Sequence, residues 1–397
     1  MNVRKRLAIV TTHPIQYNAP WFRMLSERRH IQIRVFYTWS QVAKGKKFDP
    51  GFSKHIEWDI PLLDGYDYEF VNNTAKEPGS HHRKGIVNPD LNRMISAWKP
   101  DALLIFGWNF DSHWKCIRYF HRRIPIIFRG DSTFLRKQPT WRTLIRTLYL
   151  RRIYRKIDYA LYVGRENYHY FRRCGLTERQ LVYAPHAVDN GRFSEKGNFD
   201  QSEINRMKAV IGLNNNNLTI LFAAKWEAVK NPTLFLEFAT RFSRLNVNFI
   251  MAGNGPLDST VRSYASANPN LLFIDFQNQS QMPLLYRSAH FFFMSSDSET
   301  WGLAVNEAMA SSLGVIVRNT CACAADLVKD GENGFIFDSE HIDALVLKIA
   351  ALVDRPDIWK KMGARSLELI EDFRFERIVD AIEGLFAQEL SNTPTHA

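Results

Sequence analysis

The sequence predicts an α/β fold with two domains, each built around a parallel sheet. Short apolar runs alternate along the chain with longer helical patterns, an order typical of parallel sheets wrapped by helices. The runs fall into two series separated by a polar stretch. The chain has 397 residues, too many for one ordinary hydrophobic core, so two domains are expected.

Each apolar run is expected to form one buried strand. The first series predicts strands over Leu7–Thr12, Ile31–Tyr37, Ala102–Phe106, Pro125–Phe128, Ala160–Val163 and Leu181–Ala184. The second series predicts strands over Leu218–Ala223, Asn248–Ala252, Leu271–Asp275, Phe291–Met294, Val315–Val317 and Gly334–Phe337.

The polar stretch 190–217, which includes four consecutive asparagines, is the best candidate for a linker. It predicts an N-terminal domain over 1–190 and a C-terminal domain over 191–371. A last helix at about 372–390 is expected to pack back on the first domain.

Positive charge is concentrated in one segment of the chain. The net charge is +11, and residues 115–156 hold thirteen Lys and Arg against the single acid Asp131. The remainder is therefore close to neutral, and the basic segment predicts an anionic partner.

Composition excludes several classes of protein. The apolar run Leu7–Val10 is too short for a signal peptide, and no run is long enough to span a bilayer. Four scattered cysteines do not form a disulfide framework, and Cys321 and Cys323 are expected to be buried thiols. We therefore expect a cytoplasmic protein, with a peripheral position on the inner face of the membrane as a further option.

Motifs for common cofactors are missing from the sequence. No Gly-x-Gly-x-x-Gly follows a predicted strand, because Gly253-Asn254-Gly255 lacks the third glycine, and no Gly-x-x-x-x-Gly-Lys-Ser/Thr occurs. No Asp-x-Asp occurs either. We predict no cofactor and no metal.

Two lysines follow the first strand of the second series. Lys225 comes at the end of that strand, and Lys230 precedes Asn231, a good helix N-cap, and Pro232, a residue suited to the first helical position. Two cations beside a helix start could hold a diphosphate. The alternative is two solvated lysines in a loop.

The segment 298–310 places two carboxylates around a helix start. Glu299 precedes the predicted helix, Gly302 lies in the turn, and Glu307 lies about two turns inside. Free backbone N–H groups and the helix dipole favour a phosphate there. Eight residues along a helix span ~12 Å, which is longer than the roughly 5–9.5 Å between glycosidase carboxylates. The pair is better suited to holding two ends of one ligand.

Together these pieces resemble the retaining glycosyltransferases of family 4, which have two facing Rossmann-like domains (the GT-B fold). The matching residues, spread over roughly 215–340, are Lys225…Lys230, Ala252–Pro256, Glu299-x7-Glu307 and Asp330–Gly334. Pro185–Asp189 resembles a family turn, and Thr12–Tyr17 and Trp58–Tyr66 resemble one branch of the family.

The resemblance implies a role for each matching residue. Lys225 and Lys230 would neutralise the donor diphosphate, Glu307 would hold the ribose hydroxyls, and Glu299 would lie beside the transferred sugar. The donor phosphates would be capped by the backbone of Thr300, Trp301, Gly302 and Leu303. The remaining donor-binding residues implied are Gly253, Gly255, Phe276 and Gln277, the last two near the nucleobase.

The sequence departs from the family pattern in the first domain. Thr12-His13-Pro14 replaces a Gly-rich loop, and Phe128-Arg129-Gly130-Asp131 stands where many relatives carry a histidine that reaches the donor sugar. Arg129 or Asp131 could substitute for that histidine, or the site is built differently. His13 either faces the cleft or is a turn residue.

The basic segment contains an amphipathic helical pattern near 141–156. Trp141, Leu144, Ile145 and Leu148 share one face, and the arginines of the predicted membrane or acceptor surface are Arg142, Arg146, Arg151 and Arg152. One interpretation is docking on an anionic membrane, which would suit a lipid-linked acceptor. The other is a helix packed on the core with a solvated basic back.

The expected reaction moves a sugar from a nucleotide-diphosphate sugar to a hydroxyl of a glycan or lipid-linked acceptor, with retention of configuration. Two alternatives stay open. One is a protein that binds sugar nucleotide without turnover. The other, a nucleic-acid-binding protein, would explain the basic segment but not the paired lysines and glutamates.

Overall fold

A computed structural model describes residues 4–42, 47–49, 54–56, 59–136, 139–194, 200–214, 216–264 and 268–388. The chain forms two compact units. The first contains Met1–Lys46, Pro61–Pro185 and Phe375–Ala397, and the second contains Lys47–Ile60 and His186–Arg374. Within the described ranges, no helix combines the length and the hydropathy needed to cross a bilayer.

The strands are numbered in chain order. They are β1 (Arg6–Thr11), β2 (Gln32–Tyr37), β3 (Lys47–Asp49), β4 (Lys54–Ile56), β5 (Tyr68–Phe70), β6 (Ala102–Phe106), β7 (Ile126–Arg129), β8 (Tyr159–Tyr162), β9 (Leu181–Tyr183), β10 (Leu218–Ala223), β11 (Val247–Ala252), β12 (Leu271–Ile274), β13 (Phe291–Met294), β14 (Gly314–Arg318) and β15 (Gly334–Phe337).

The helices are numbered in the same way. They are α1 (Ala19–Arg28), α2 (Leu91–Trp98), α3 (Asp111–Phe120), α4 (Thr140–Tyr154), α5 (Arg165–Arg173), α6 (Asn190–Phe193), α7 (Gln201–Ile211), α8 (Pro232–Thr240), α9 (Asp258–Ser263), α10 (Met282–Arg287), α11 (Leu303–Ala310), α12 (Ala324–Leu327), α13 (Ile342–Ala350), α14 (Pro356–Ile370) and α15 (Phe375–Gln388).

The first unit is built on a seven-stranded sheet in the order β5-β2-β1-β6-β7-β8-β9, with every pair parallel. The strand order reverses between β1 and β6. In open parallel sheets, ligands bind beyond the carboxyl ends of the strands at such a switch point. The segment after β1, which contains His13, lies there.

The C-terminal helix α15 belongs to the first unit and packs on α1. Arg28 of α1 contacts Asp380 at 2.6 Å and Glu383 at 3.0 Å, and Ile378, Val379 and Ile382 of α15 are buried.

The second unit is built on a six-stranded parallel sheet in the order β12-β11-β10-β13-β14-β15. Its switch point lies between β10 and β13. Its strands are buried on both faces, and aromatic residues such as Phe235, Phe238, Phe249 and Phe293 fill the core. The loops after β10 and β13 are therefore where chemistry is expected.

The predicted fold class, α/β with two parallel sheets, is confirmed. Each of the predicted strands is present with its ends within one residue. Strand β5 and the antiparallel pair β3 and β4, which have three residues each, were not predicted. The predicted linker 190–217 contains two helices that were not predicted, α6 and α7, and α7 begins with a capping box between Asp200 and Glu203.

Candidate active site

The loop after β10, which carries the predicted diphosphate lysines, is fixed at its end by the start of the next helix. Asn231 adopts a left-handed conformation (φ 47°), and its side chain accepts a hydrogen bond from Leu234 N at 3.2 Å. Pro232 occupies the first turn of α8. The predicted N-cap and helix start are thus confirmed, and they place Lys230 directly before the helix.

The loops after β10 and β13 are joined by several hydrogen bonds. The Ser295 hydroxyl lies 2.9 Å from the Lys230 carbonyl oxygen and 2.8 Å from that of Asn231. Asp297 accepts from Asn231 Nδ2 at 2.9 Å, and its own backbone N–H donates to the Val229 carbonyl at 2.9 Å. The switch point of the second sheet is therefore a rigid, cross-linked structure.

The ammonium group of Lys230 donates to the carboxylate of Glu299 across this junction. The Lys230 side chain is 25% exposed and that of Glu299 is 18% exposed. Ser296 lies 3.5 Å from the same carboxylate oxygen. Two residues predicted to contact adjacent parts of one ligand, the diphosphate and the transferred sugar, are thus in direct contact with each other.

Lys225 lies just beyond the carboxyl end of β10, where it is half-buried. Its carbonyl accepts from Glu227 N at 3.0 Å, which begins the turn toward Lys230. Both predicted diphosphate lysines therefore belong to the loop at the switch point.

Gly253 and Gly255 allow the loop after β11 to approach the loop after β10. A Cβ atom on Gly253 (φ +140°) would lie 2.0 Å from the Ala224 carbonyl oxygen, and one on Gly255 would lie 2.5 Å from that of Trp226. Trp226 N donates to the Asn254 carbonyl at 3.0 Å. These predicted donor-binding glycines therefore have a structural function, since no larger residue fits between the loops.

Phe276 and Gln277, predicted near the nucleobase, follow β12 at the same edge of the sheet. Asn254 accepts from Phe276 N at 2.8 Å and donates to Asp275 at 2.9 Å. Gln277 donates to the Asp275 carbonyl at 3.0 Å. The loops after β10, β11 and β12 thus form one continuous network beside the switch point.

The start of α11 follows Glu299 after three residues. Gly302 is its N-cap in a left-handed conformation (φ 109°), and a Cβ atom there would lie 2.7 Å from Met294 Sδ. Thr300 is exposed and Leu303 is half-exposed. The first N–H groups of a helix are not used within it, so this end of α11 can bind an anion.

Trp301 does not have the position expected of a donor-binding side chain. It is 3% exposed, and its indole N–H donates to Asn306 Oδ1 at 2.8 Å. Asn306 in turn donates to the His186 carbonyl at 3.2 Å. The side chain is thus buried below the turn, and the predicted contact of the Trp301 backbone with the donor phosphates stays a prediction.

Glu307, predicted to hold ribose hydroxyls, lies on the inner side of α11. It is 3% exposed and accepts from the Tyr286 hydroxyl at 2.9 Å. Tyr286 belongs to α10. The hydrogen bond fixes the carboxylate beside the second turn of α11.

Arg318 and Asp297 were missed by the sequence analysis. Arg318, at the end of β14, forms an ion pair with Asp297 and donates to Ser339 at 2.7 Å. Its side chain is 13% exposed. The sequence feature that could have identified Arg318 is its place at the carboxyl end of β14, the strand beside β13. Its ion pair with Asp297 supports the loop that carries Glu299.

The two cysteines near this loop are free and buried. Burial raises the pKa of Cys321 to about 12 and raises that of Cys323 well above its usual value. Thiols held protonated in this way are poor nucleophiles and poor metal ligands. Among the described residues, no group of three His, Cys, Asp or Glu is placed to hold a metal ion.

Three residues of the first unit were predicted to be catalytic, and their side chains differ in burial and in partners. His13 is half-exposed after β1, with Nδ1 2.9 Å from Thr12 Oγ1 and its ring 5.4 Å from that of Trp39. Asp131 is half-exposed after β7. Both remain predictions.

Arg129 is 4% exposed and donates to the carbonyls of Ala184 at 2.9 Å and Pro185 at 3.1 Å. Burial lowers its pKa to about 10, and the charge of Asp131 opposes this shift. A guanidinium engaged in this way fixes the chain at 184–185, so the structure does not support its predicted catalytic role.

The basic amphipathic segment forms α4. Trp141 and Arg142 are exposed in its first turn, and Arg151 and Arg152 are exposed in its last. Arg146 is an exception to the predicted surface, because its guanidinium packs over the rings of Phe134 at 5.4 Å and Tyr170 at 5.9 Å.

Comparison with known proteins identifies the region around this site. Residues 203–368 match the family model described as glycosyl transferases group 1. An α-monoglucosyldiacylglycerol synthase of Acholeplasma laidlawii is 28% identical over 169 residues, which are 41% of this chain and 42% of that protein. A D-inositol 3-phosphate glycosyltransferase of Corynebacterium glutamicum is 24% identical over 198 residues, 47% of each chain. The chain thus spans less than half the length of these curated relatives.

Solved structures share the fold over nearly the whole chain. A glycosyltransferase from Rickettsia africae has a TM-score of 0.74 at 12% identity and covers 98% of this chain and 100% of its own. Anabaena HepE in complex with UDP and glucose has a TM-score of 0.69 at 13% identity, with 97% and 100% covered. A sucrose-phosphate synthase from Thermosynechococcus elongatus has a TM-score of 0.72 at 14% identity, with 98% and 100% covered.

Proposed function

We propose that this chain is a GT-B glycosyltransferase of the group 1 type, whose family model matches residues 203–368, and that it transfers a sugar from a nucleotide-diphosphate sugar to an acceptor hydroxyl. The observation that carries the proposal is the contact of Lys230 with Glu299 at the switch point between β10 and β13. This is the place where a parallel sheet binds its ligand, and it lies within the matched residues.

The donor is assigned to the loops that meet there. Lys225, Lys230 and the start of α11 receive the diphosphate, because ammonium groups and unpaired helix N–H groups both favour an anion. Glu307 takes the ribose hydroxyls, and Phe276 and Gln277 flank the base. HepE, which shares this fold, has been solved with UDP-glucose, in keeping with a nucleotide sugar as donor.

Glu299 is the partner of Lys230 in the structure. When a diphosphate pairs with the Lys230 ammonium group in place of Glu299, the Glu299 carboxylate becomes available to accept hydrogen bonds from the hydroxyls of the transferred sugar. The same side chain would thus neutralise the site at rest and orient the substrate during the reaction.

Transfer breaks the bond between the anomeric carbon and the diphosphate oxygen and forms a bond from that carbon to the acceptor oxygen. The acceptor proton leaves with the diphosphate. We propose attack from the face that the diphosphate leaves, with no covalent enzyme intermediate, so the configuration is retained. Negative charge grows on the leaving group, and the lysines stabilise it, a contribution of several kcal/mol in comparable sites. We propose no metal or cofactor in this step.

For the acceptor we propose a hydroxyl of a glycan or a lipid-linked glycan, in cell-surface polysaccharide or glycolipid synthesis. Two of the relatives are named as α-monoglucosyldiacylglycerol synthases, which favours an acceptor that carries a lipid. The transferred sugar is proposed to be a hexose or an N-acetylhexosamine. The cellular site is proposed to be the cytoplasmic side of a membrane, in keeping with four free cysteines.

Thermal-shift measurements against a panel of nucleotide sugars test the donor, followed by assays of sugar transfer and donor hydrolysis with the compound that stabilises most. Binding with turnover that Lys230→Ala abolishes would support the proposal. Tight binding without turnover across a broad acceptor panel would favour a non-catalytic sugar-nucleotide-binding protein, and no binding of any nucleotide sugar would exclude both.

A further inference from the structure

Helix α4 has two apolar faces, and only one of them is covered. Thr147, Leu150, Ile153 and Tyr154 are buried in the core of the first unit. On the opposite face, Trp141 is 60% exposed, Leu144 59%, Ile145 60% and Leu148 54%. The helix therefore packs on the core, as the second interpretation expected, but through a face other than the predicted apolar stripe.

The exposed residues form one continuous surface. Their spacing, i, i+3, i+4 and i+7, places them on the same side of the first two turns of the helix. Tyr149 extends the surface at 47% exposure, and its ring lies 5.8 Å from that of Trp108. Single exposed apolar side chains are common, but a contiguous patch indicates a binding surface. We call these five residues the α4 apolar patch.

Cations continue the same side of the helix toward its C-terminus. At 100° per residue, Arg151 and Arg152 follow the line of Leu144 and Leu148, and both are exposed. Arg142 is exposed beside Trp141. The described helix Thr140–Tyr154 carries no Asp or Glu, so nothing on it offsets these charges.

The arrangement of the two groups suits a helix that lies in the plane of a lipid interface. Such helices bury their apolar side chains roughly 5–10 Å into the boundary between headgroups and acyl chains. Arg151 is seven positions after Leu144, ~10 Å along the helix axis, so in that orientation the arginines lie beside the apolar patch. Their long side chains can then extend to the lipid phosphates while the patch stays buried.

We propose that the α4 apolar patch, with Arg142, Arg151 and Arg152, docks the chain on an anionic lipid bilayer. A second copy of the chain is a poorer occupant, because a symmetric contact would bring the arginines of both copies together. A nucleic acid is also poorer, because its phosphate surface would leave Leu144, Ile145 and Leu148 in water. The docking does not depend on sugar transfer.

Co-sedimentation with vesicles measures docking without any activity assay. The full chain is mixed with phosphatidylcholine vesicles or with vesicles containing 30 mol% phosphatidylglycerol, at about 0.05 and 0.5 M salt. We expect binding to the anionic vesicles and weaker binding at high salt. Leu144→Ser with Leu148→Ser is expected to lower the partition coefficient at least about tenfold. Arg142→Gln with Arg152→Gln is expected to lower the partition coefficient about fivefold for each arginine removed. This effect should appear with the anionic vesicles only.

Val210→Ser with Leu347→Ser is the matched control, since these side chains are 80% and 73% exposed on α7 and α13 of the second unit. Equal vesicle binding by the patch variant and this control would overturn the proposal. So would a dimer that the Leu144 and Leu148 substitutions dissociate without any vesicle binding, or salt-sensitive binding to oligonucleotides alone. If the wild-type chain bound anionic vesicles but transferred no sugar, that result would count against the proposed function and not against the docking.

Discussion

The Lys230 ammonium group and the Glu299 carboxylate form an ion pair between the loop after β10 and the loop after β13. Neither group is fully buried, so the pair can open toward an incoming anion. An ammonium group with a carboxylate partner is held in position. If the proposed function is right, a diphosphate would replace that partner and would not have to order a mobile side chain.

Lys230→Ala removes the positive charge that would stabilise the leaving diphosphate. We expect sugar transfer to fall by about 10²-fold or more, the scale measured for a lost stabilising donor. The free energy of unfolding should change by no more than about 1 kcal/mol, because the pair is partly exposed. Steady-state transfer assays and chemical denaturation measure the two effects.

Lys348→Ala is the control for this substitution, since Lys348 pairs with Asp330 at 3.1 Å elsewhere in the second unit. Its transfer activity should equal that of the wild type. Unchanged transfer in both Lys230→Ala and Lys225→Ala would contradict the assigned diphosphate site.

Glu299→Gln is expected to separate binding from catalysis. It removes the carboxylate that competes with the diphosphate for Lys230 while keeping the shape of the side chain. The free nucleoside diphosphate should bind more tightly, by about fivefold if the pair contributes ~1 kcal/mol. Transfer should fall, because the sugar hydroxyls lose a charged acceptor. Calorimetric titration of the nucleoside diphosphate provides the measurement, and weaker binding would show that Glu299 is not displaced.

Much of the second sheet was predictable because its strands are buried on both faces and appear as continuous apolar runs. The loop after β10 was predictable for a local reason, since Asn231 and Pro232 together define a helix start. Strand β5 was missed because three residues, Tyr68–Phe70, give no pattern of alternation. The helices within 190–217 were not predicted, because the many asparagines and glycines of this stretch are typical of a loop and the capping box at Asp200 was overlooked.

The site itself was only partly predictable. The local pattern of each loop located Lys230 and Glu299 separately, but their contact depends on β10 and β13 being neighbours, which follows from the sheet order. Sequence position does not fix the direction of a side chain, so the burial of the Trp301 side chain could not be predicted. Arg129 was considered as a substitute for the family's histidine before its partners, the carbonyls of Ala184 and Pro185, were known.

Gly253→Ala tests the close approach of the loops after β10 and β11. The new Cβ atom would lie 2.0 Å from the Ala224 carbonyl oxygen, so backbone must move. We expect a loss of about 2–4 kcal/mol in the free energy of unfolding and weaker nucleotide-sugar binding. Gly331→Ala is the control, because Gly331 also has a positive φ (+81°) but no atom within 4 Å of the new Cβ. Its loss should be about 1–2 kcal/mol. Equal losses of stability in the two variants would mean that the positive φ at residue 253, and not the close approach of the loops, requires a glycine there.

His290 makes the stability of the second unit depend on pH. Its Nδ1 accepts a hydrogen bond from Thr219 N at 3.0 Å, so a proton there would face an N–H group. Burial, assisted by the charges of Lys208 and Lys360, lowers the pKa of His290 to about 4 from 6.5. Between those values the unfolded chain binds a proton that the folded chain does not.

The free energy of unfolding should therefore fall as the pH drops from about 6.5 to about 4, by up to about 3 kcal/mol from this residue. His290→Asn keeps an acceptor for Thr219 but cannot be protonated, so denaturation between pH 7 and 4.5 should give a shallower slope. His169→Asn replaces an exposed histidine and should leave the slope of the wild type unchanged. If His290→Asn kept the full slope, the pH dependence would have to come from other groups.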